Sequence, residues 1–530
     1  MRRTFVGLAA LCAGICVLVA APVAGARVRV LRVGTYHHVR GQYRTIQAAV
    51  NHAKAGDFIL VAPGDYKTHR SHAPKGFSNR QAAVLITKRN ITLRGMNRNR
   101  VVIDGTKKGP RCNARKKDQN FGPKANGGRT GLNGVMIWKA DNVTVENLTT
   151  CNFLSGSGDA GNGVWWNGGD ESAKIGGWGY YGAYLTATSR YYDRNHTGTA
   201  AAYGIFSSNW DGGTWYKDYA SNFNDSGFYI GACQQVCNQT MSHAWAQWNA
   251  LGYSGSNSGG VLVVKNSQFD HNEDGFDTNS QNGDNPPPQN GACPLPSQIS
   301  PITHTHSCWV FEHNYVHDNN NPNIPSSGLA AAGPVGTGLS LSGARNDTVM
   351  NNTFAHNKAW GTIIVPFPDS GPPCTGGTGS PPTYSPCIYD EYNDALVKNT
   401  YYDNGGYGNP TNGDFGWSHL ETDPTSCFSG NVDTKGPLTE TPSGAQSNPL
   451  YESCNGTNVP PDPTATQFLV EVACDSTLAI SGTAKGSCPP GSSYPRRTRV
   501  VMHRLPRLRS MPRPCHGVPR NPWCRAPKKK

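Results

Sequence analysis

Three carboxylates stand within five residues at Glu273, Asp274 and Asp277, inside the stretch Asn272-Glu-Asp-Gly-Phe-Asp277. Carboxylates this close repel one another unless water or a cation separates them, and hard oxygen donors of this kind suit Ca²⁺. Glu273, Asp274 and Asp277 are therefore candidate calcium ligands, and a solvated acidic turn is the alternative. An aromatic, two residues and an Asn or Asp recur as Phe269-Asp-His-Asn272, Tyr315-Val-His-Asp318, Phe354-Ala-His-Asn357 and Tyr401-Tyr-Asp-Asn404. Counted from the aromatic, Glu273, Asn319 and Lys358 occupy one position. If these repeats are consecutive coils, Lys358 stands two rungs from Glu273, about 10 Å away, where a lysine of lowered pKa would act as a base facing a metal. A solvated surface lysine is the plainer reading. The same count lines up His271, His317, His356 and Asp403. Imidazoles there would serve as proton donors or metal ligands, with His317 the fallback base, or would fill a turn ladder.

The repeats also say what positions these residues. Asn224-Asp-Ser-Gly-Phe228, Asn249-Ala-Leu-Gly-Tyr253 and Asn272-Glu-Asp-Gly-Phe276 align at offsets of 25 and 23 residues. Strand-sized apolar pieces with Asn and Gly turns at such periods read as a β solenoid. Near the start, Thr45 caps a helix with Ile46, Val50 and Ala53 on one face, and Gly56-Asp57 stops it before a strand at Phe58 to Val61. Short strands follow at Val84 to Ile86, Ile91 to Leu93 and Val101 to Ile103. A short helix closing the open end of a strand stack explains this order. Trp165-Trp166, Trp178, Trp210, Trp215, Trp245 and Trp248 crowd one third of the chain. They suit sugar-stacking platforms and internal ladders equally.

The stretch TIQAAVNHAKAGDFILVAPGDY, followed by ITLRG, VVIDG and the Asn-rich coils, resembles the right-handed parallel β-helix of the pectin-lyase-like superfamily over roughly residues 30 to 455. That resemblance implies an all-β fold with aliphatic and aromatic ladders inside and amide ladders at the turns. It leaves activity open, because the superfamily holds lyases, hydrolases, esterases, epimerases and non-catalytic proteins. The carboxylate cluster resembles the Asp-Asp-Gly-aromatic-Asp calcium site of one family of β-helical pectate lyases, with Glu273 in place of the first Asp. Calcium there would stabilise the charge formed as the C5 proton of a uronate leaves, so that the C4 oxygen is eliminated. The paired-Asp and Gly-His-Gly signature of β-helical polygalacturonases is absent.

Residues 1–26, with two arginines, an apolar run and a small-residue ending, read as a secretory signal peptide. Fourteen of the sixteen cysteines lie beyond it, an even number suited to disulfides, and spacing suggests Cys233–Cys237, Cys293–Cys308 and Cys374–Cys387 as local staples. The net charge of +13 is segregated: residues 27–129 hold 23 Lys or Arg against 4 acids, 130–495 hold 11 against 31, and 496–530 hold 12 and no acid. For a secreted chain that favours an anionic polysaccharide or wall polymer over nucleic acid. The expected organisation is a β-helix over 27–460, a small cysteine-containing cap over 461–494 and a basic, proline-rich tail over 495–530 that is disordered or wall-bound. The leading functional expectation is a secreted, monomeric β-helix acting on acidic polysaccharide by calcium-assisted β-elimination. A non-catalytic carbohydrate-binding surface protein and a C5-epimerase are the alternatives.

Overall fold

A computed structural model describes residues 28–524, apart from 126, 170–173, 235, 284–285, 326–332, 370–372, 380–385, 455 and 475–487. The expected signal peptide lies outside the described residues. Three long parallel sheets of 12, 11 and 11 strands carry the fold, and each coil visits them in the same order. One coil, for example, places Leu262–Lys265 in the first sheet, Gln268–Asp270 in the second and Asp274–Asn279 in the third. This is the expected right-handed parallel β-helix. The helix α1, Ile46–His52, begins where expected: Thr45 accepts a hydrogen bond from the amide of Ala48 at 3.3 Å, and Ile46, Ala49 and Val50 are buried. The strand Phe58–Val61 follows it.

Side chains that alternate inward stack coil on coil. In the third sheet the inner column runs through Phe228, Tyr253, Phe276 and Leu339. Tyr253 and Phe276 lie ring on ring, with centroids 4.1 Å apart and planes within 2°. Burying one such ring contributes roughly 1.5–3 kcal/mol, so the aromatic column is a main source of cohesion. At the turns the amide ladders are present. Asn249, Asn272, Asn319 and Asn357 each donate to the side-chain carbonyl of the next, ending on Asn404, at 3.0–3.3 Å. A second ladder joins Asn314, Asn352, Asn399 and Asn431 at 3.0–3.1 Å.

A glycine column marks the entry to the third sheet. A Cβ on Gly134, Gly163, Gly204, Gly227, Gly252, Gly275 or Gly338 would lie 2.2–2.9 Å from the carbonyl oxygen of the next glycine, up to Gly361. The coils approach too closely there for any side chain.

Seven disulfides are formed, among them the three expected staples; the others are Cys112–Cys151, Cys427–Cys454, Cys474–Cys488 and Cys515–Cys524. Beyond the last coil, α2, Ala465–Val472, packs Phe468 and Leu469 against Trp360 and Ile363 on the outer face of the third sheet.

The tail corrects the expectation of disorder. From Ser493 onward the chain turns back and runs the length of the solenoid as a strap. Val501 bonds Asn323, His503 exchanges hydrogen bonds with Asn222, and Leu508 accepts from Asn99. Ser510 and Met511 bond Asn147, Pro514 and His516 accept from Arg94, and Trp523 buries itself beside Leu60, Ala62 and Met96 near the first coils. Composition pointed to disorder because the strap has almost no core of its own. Its order comes from the turn asparagines and polar side chains that the coils present to its backbone.

Gly275→Ala should lower stability by about 3 kcal/mol or more, since the added Cβ would meet the Gly338 carbonyl at 2.4 Å and the buried Asn319 and Val316 side chains at 2.8 Å. Gly436→Ala, where nothing lies within 4 Å of the added Cβ, should change it by no more than about 0.5 kcal/mol. Denaturant unfolding of the two variants checks the difference.

Candidate active-site groove

Outward-facing residues of the third sheet form a second column, one residue along from the inner one. It passes through Trp165, Phe206, Tyr229, Ser254, Asp277, Ser340 and Ile363. Beside it run Ser256, Asn279 and Ser342. The long connections on either side of this sheet raise walls around the column, and α2 closes it toward the C-terminal end. The result is a cavity of about 350 Å³ floored by Ser254, Asp277 and Ser340, with Asp225 and Asp274 among its lining and Leu469 and Val472 of α2 at one end. A neighbouring depression, also about 350 Å³, shares Tyr203 and Tyr229 with it and is lined by Trp165 and Phe206. Trp165 and Phe206 are stacked at 4.9 Å, and Arg80, held by Asp159 at 2.7 Å, lies over Trp165. The two depressions make one groove along the solenoid, with an aromatic end and a carboxyl end.

The carboxyls at that end differ in environment. Burial pushes Asp274 well above the usual carboxylate range, and the charges of Glu273 and Asp277 push it further. The amide of Thr337 donates to it at 3.3 Å. Asp277 is also raised by burial, but Ser340, Asn279 and Ser342 all donate to it and oppose that shift. Asp274 is thus the group that keeps its proton, and Asp277 the one equipped to carry charge.

The structure brings Asp274 and Asp277 together in the groove and places the other expected residues elsewhere. Glu273 sits at the turn before the sheet, where Arg497 of the strap approaches it at 3.8 Å. Lys358 does share the turn column of Glu273, with Asn320 between them. Its amide is bound by Asn320 at 2.7 Å, and its ammonium points to the carbonyl of Asp403 at 3.4 Å. It is not among the residues lining the groove. His317 lies on the outer face of the second sheet, with Asp318 at 2.8 Å, Gln268 at 3.1 Å and its ring on Tyr315 at 3.9 Å.

The register counted from the aromatics is one residue off at Tyr315. Phe269 pairs with Val316, and Val316 with Phe354, so Asn319 rather than Asp318 joins the ladder. The true column is His271, Asp318, His356 and Asp403, all with positive φ of 54–57°. Asn, Asp and His tolerate that conformation better than most residues, which accounts for the histidines without catalysis.

The three expected calcium ligands do not form a cage. Among the described residues, the one group of three whose donor atoms lie within 4.8 Å of one another is Asp104 with Cys112 and Cys151, and those cysteines are bonded to each other. The tryptophans divide. Trp166, Trp210 and Trp215 are buried in the core, Trp165 faces the groove, and Trp178 is half exposed. Ser340, Ser342 and Tyr229 were not singled out from the sequence. Strict alternation from the inward Phe276 places Asp277 outward, and the same step from Phe228 and Leu339 would have found Tyr229 and Ser340.

No protein-family model matches the chain, and the comparison with curated proteins finds no match. Solved structures do. The A-module of mannuronan C-5 epimerase AlgE6 from Azotobacter vinelandii covers 74% of this chain and 90% of its own, at 14% identity and a TM-score of 0.45. A pectate lyase covers 89% and 96% at 13% identity and a TM-score of 0.35. An alginate lyase from Paenibacillus sp. str. FPU-7 covers 78% and 97% at 11% identity and a TM-score of 0.34.

Burial raises Asp218 to about 7 and Asp390 to about 6, and it raises Asp274, Asp347, Glu391 and Asp394 as well. Each holds a proton in the folded chain that the unfolded chain releases above about pH 4, so stability falls as pH rises from there. Asp193, held down to about 2 by Lys116, acts in the opposite sense only below that range. The melting temperature should therefore decline between about pH 4 and pH 8. Asp274→Asn should flatten the decline, melting above wild type at the alkaline end and close to it at the acid end. Calorimetric scans across the series check this.

Proposed function

We propose that the protein binds a polysaccharide lengthwise over the third sheet and cleaves it with Asp274 as proton donor and Asp277 as proton acceptor. The observation that carries this reading is the pair itself: a carboxyl kept protonated by burial beside one whose charge three donors stabilise, on the floor of a groove. Aromatic rings at the neighbouring end suit the apolar faces of sugar rings, and serine hydroxyls along the floor suit their hydroxyls. In the reaction the Asp274 carboxyl gives its proton to the glycosidic oxygen as the bond to carbon breaks. The Asp277 carboxylate takes a proton, either from an attacking water or from the carbon next to a uronate carboxyl. The first outcome is hydrolysis and the second elimination.

A second reading, calcium-assisted elimination on an acidic polysaccharide with Lys358 as base, is favoured by the repulsion that Glu273 and Asp277 exert on Asp274, which a divalent cation would relieve. The separation of the carboxylate oxygens and the position of Lys358 outside the groove weigh against it.

Polygalacturonate, alginate and a neutral glucan, each followed for new reducing ends and for ultraviolet-absorbing unsaturated ends, separate these readings. Asp274→Asn and Asp277→Asn should each lower turnover by roughly 10²–10⁴-fold. Turnover equal to wild type in both variants, or no product from any polymer, would sink the acid–base reading. Loss of product with chelator, together with a Lys358→Ala variant reduced in kcat at unchanged KM, would transfer the reaction to the second.

A further inference from the structure

The strap lays a cationic segment on the most cationic part of the solenoid. Its arginines Arg499, Arg504, Arg507, Arg509, Arg513 and Arg520 are all exposed, whereas Leu508 among them and Trp523 beyond them are buried. None of these six has an acidic partner among the described residues, and residues 496–530 contain no acid. From Leu508 onward, where the strap lies on the first coils, the coils beneath cannot neutralise them. Of the four acids in residues 27–129, Asp57 is paired with Arg29, Asp65 and Asp104 share Lys67, and Asp118 is buried. Instead, like charges meet: Arg504 acts on Arg190, and Arg509 on Lys217. What holds the strap down is hydrogen bonding to its backbone by Asn222, Asn99, Asn147, Arg98 and Arg94, and that attachment leaves the guanidinium groups to solvent.

We infer that the strap and the basic coils under it form a docking ridge for a linear acidic polysaccharide, separate from the groove. The ridge is extended and follows the solenoid axis, as a polymer with regularly spaced carboxylates or sulfates requires. Guanidinium groups bind such anions through paired hydrogen bonds. Single-stranded nucleic acid fits less well, because among the described residues of the strap the rings of Tyr494, His503 and Trp523 pack against the solenoid, leaving His516 as the one exposed ring where a series of stacking platforms is needed. A lipid surface fits less well too, because Leu505 is half-buried and Leu508 buried, and the exposed Val501 alone is too small an apolar face to insert.

The test measures binding of the full chain to polygalacturonate at about 50 and about 300 mM NaCl, with duplex DNA and phosphatidylserine vesicles as competitors. The comparison is the triple variant Arg504→Gln, Arg507→Gln and Arg509→Gln, whose changed groups all point to solvent. Wild type should bind the polyuronate more weakly at the higher salt. The variant should bind about tenfold more weakly at low salt and show a flatter salt dependence. Equal binding by the variant overturns the ridge, as does tighter binding of DNA or vesicles than of polyuronate. The readout is affinity, so it stands whether or not the groove turns over any polymer.

Discussion

The close approach of successive coils at the glycine column sets the geometry of everything else. With the carbonyl of each glycine where the one before it would carry a side chain, the coils from Gly134 to Gly361 are held at one close spacing where they enter the third sheet. Inward positions then fall on inward positions, and Phe276 stacks on Tyr253 instead of missing it. The amide ladders add direction to this spacing, because each asparagine donates to the one above and the chain cannot slip by a residue without breaking a row of buried bonds. Insertions are absorbed in the connections between sheets, where they build the walls of the groove.

That arrangement explains how two carboxyls can be buried side by side without a metal cage. A rigid floor fixes Asp277 beside Ser340 and Ser342, so its donors are in place before any ligand arrives. Asp274 lies at the start of the strand, where the backbone offers it little, and burial decides its protonation. The contrast between them is a product of position along one strand.

The sequence made the architecture legible because the fold is repetitive. Thr45 as a cap, the Asn-x-x-Gly-aromatic repeats and the three local cysteine pairs each had a physical role that a short stretch reveals. The candidate site was legible in part: the cluster led to Asp274 and Asp277 but also to Glu273, which stays at the turn, and the register counted on aromatics put Lys358 in the column of Glu273 yet led to Asn319 and His317 through Tyr315. Tyr315 shows why that counting fails. It is one of two large residues flanking a small inward one, and the ladder asparagine, Asn319, was the better marker. The strap was not legible at all, since its partners lie 82 to 484 residues away and it carries no repeat of its own.

A solenoid is ordinarily one-dimensional: each coil knows only its neighbours, and either end frays independently. Here the strap leaves the last coils near Tyr407 and reaches the first near Val39. The two ends are therefore mechanically coupled. Fraying at the first coils has to displace Trp523 from its seat, and loosening at the last coils pulls on the same segment. The molecule resembles a coil spring with a stay along its side, in which load applied at one end is shared by the whole length.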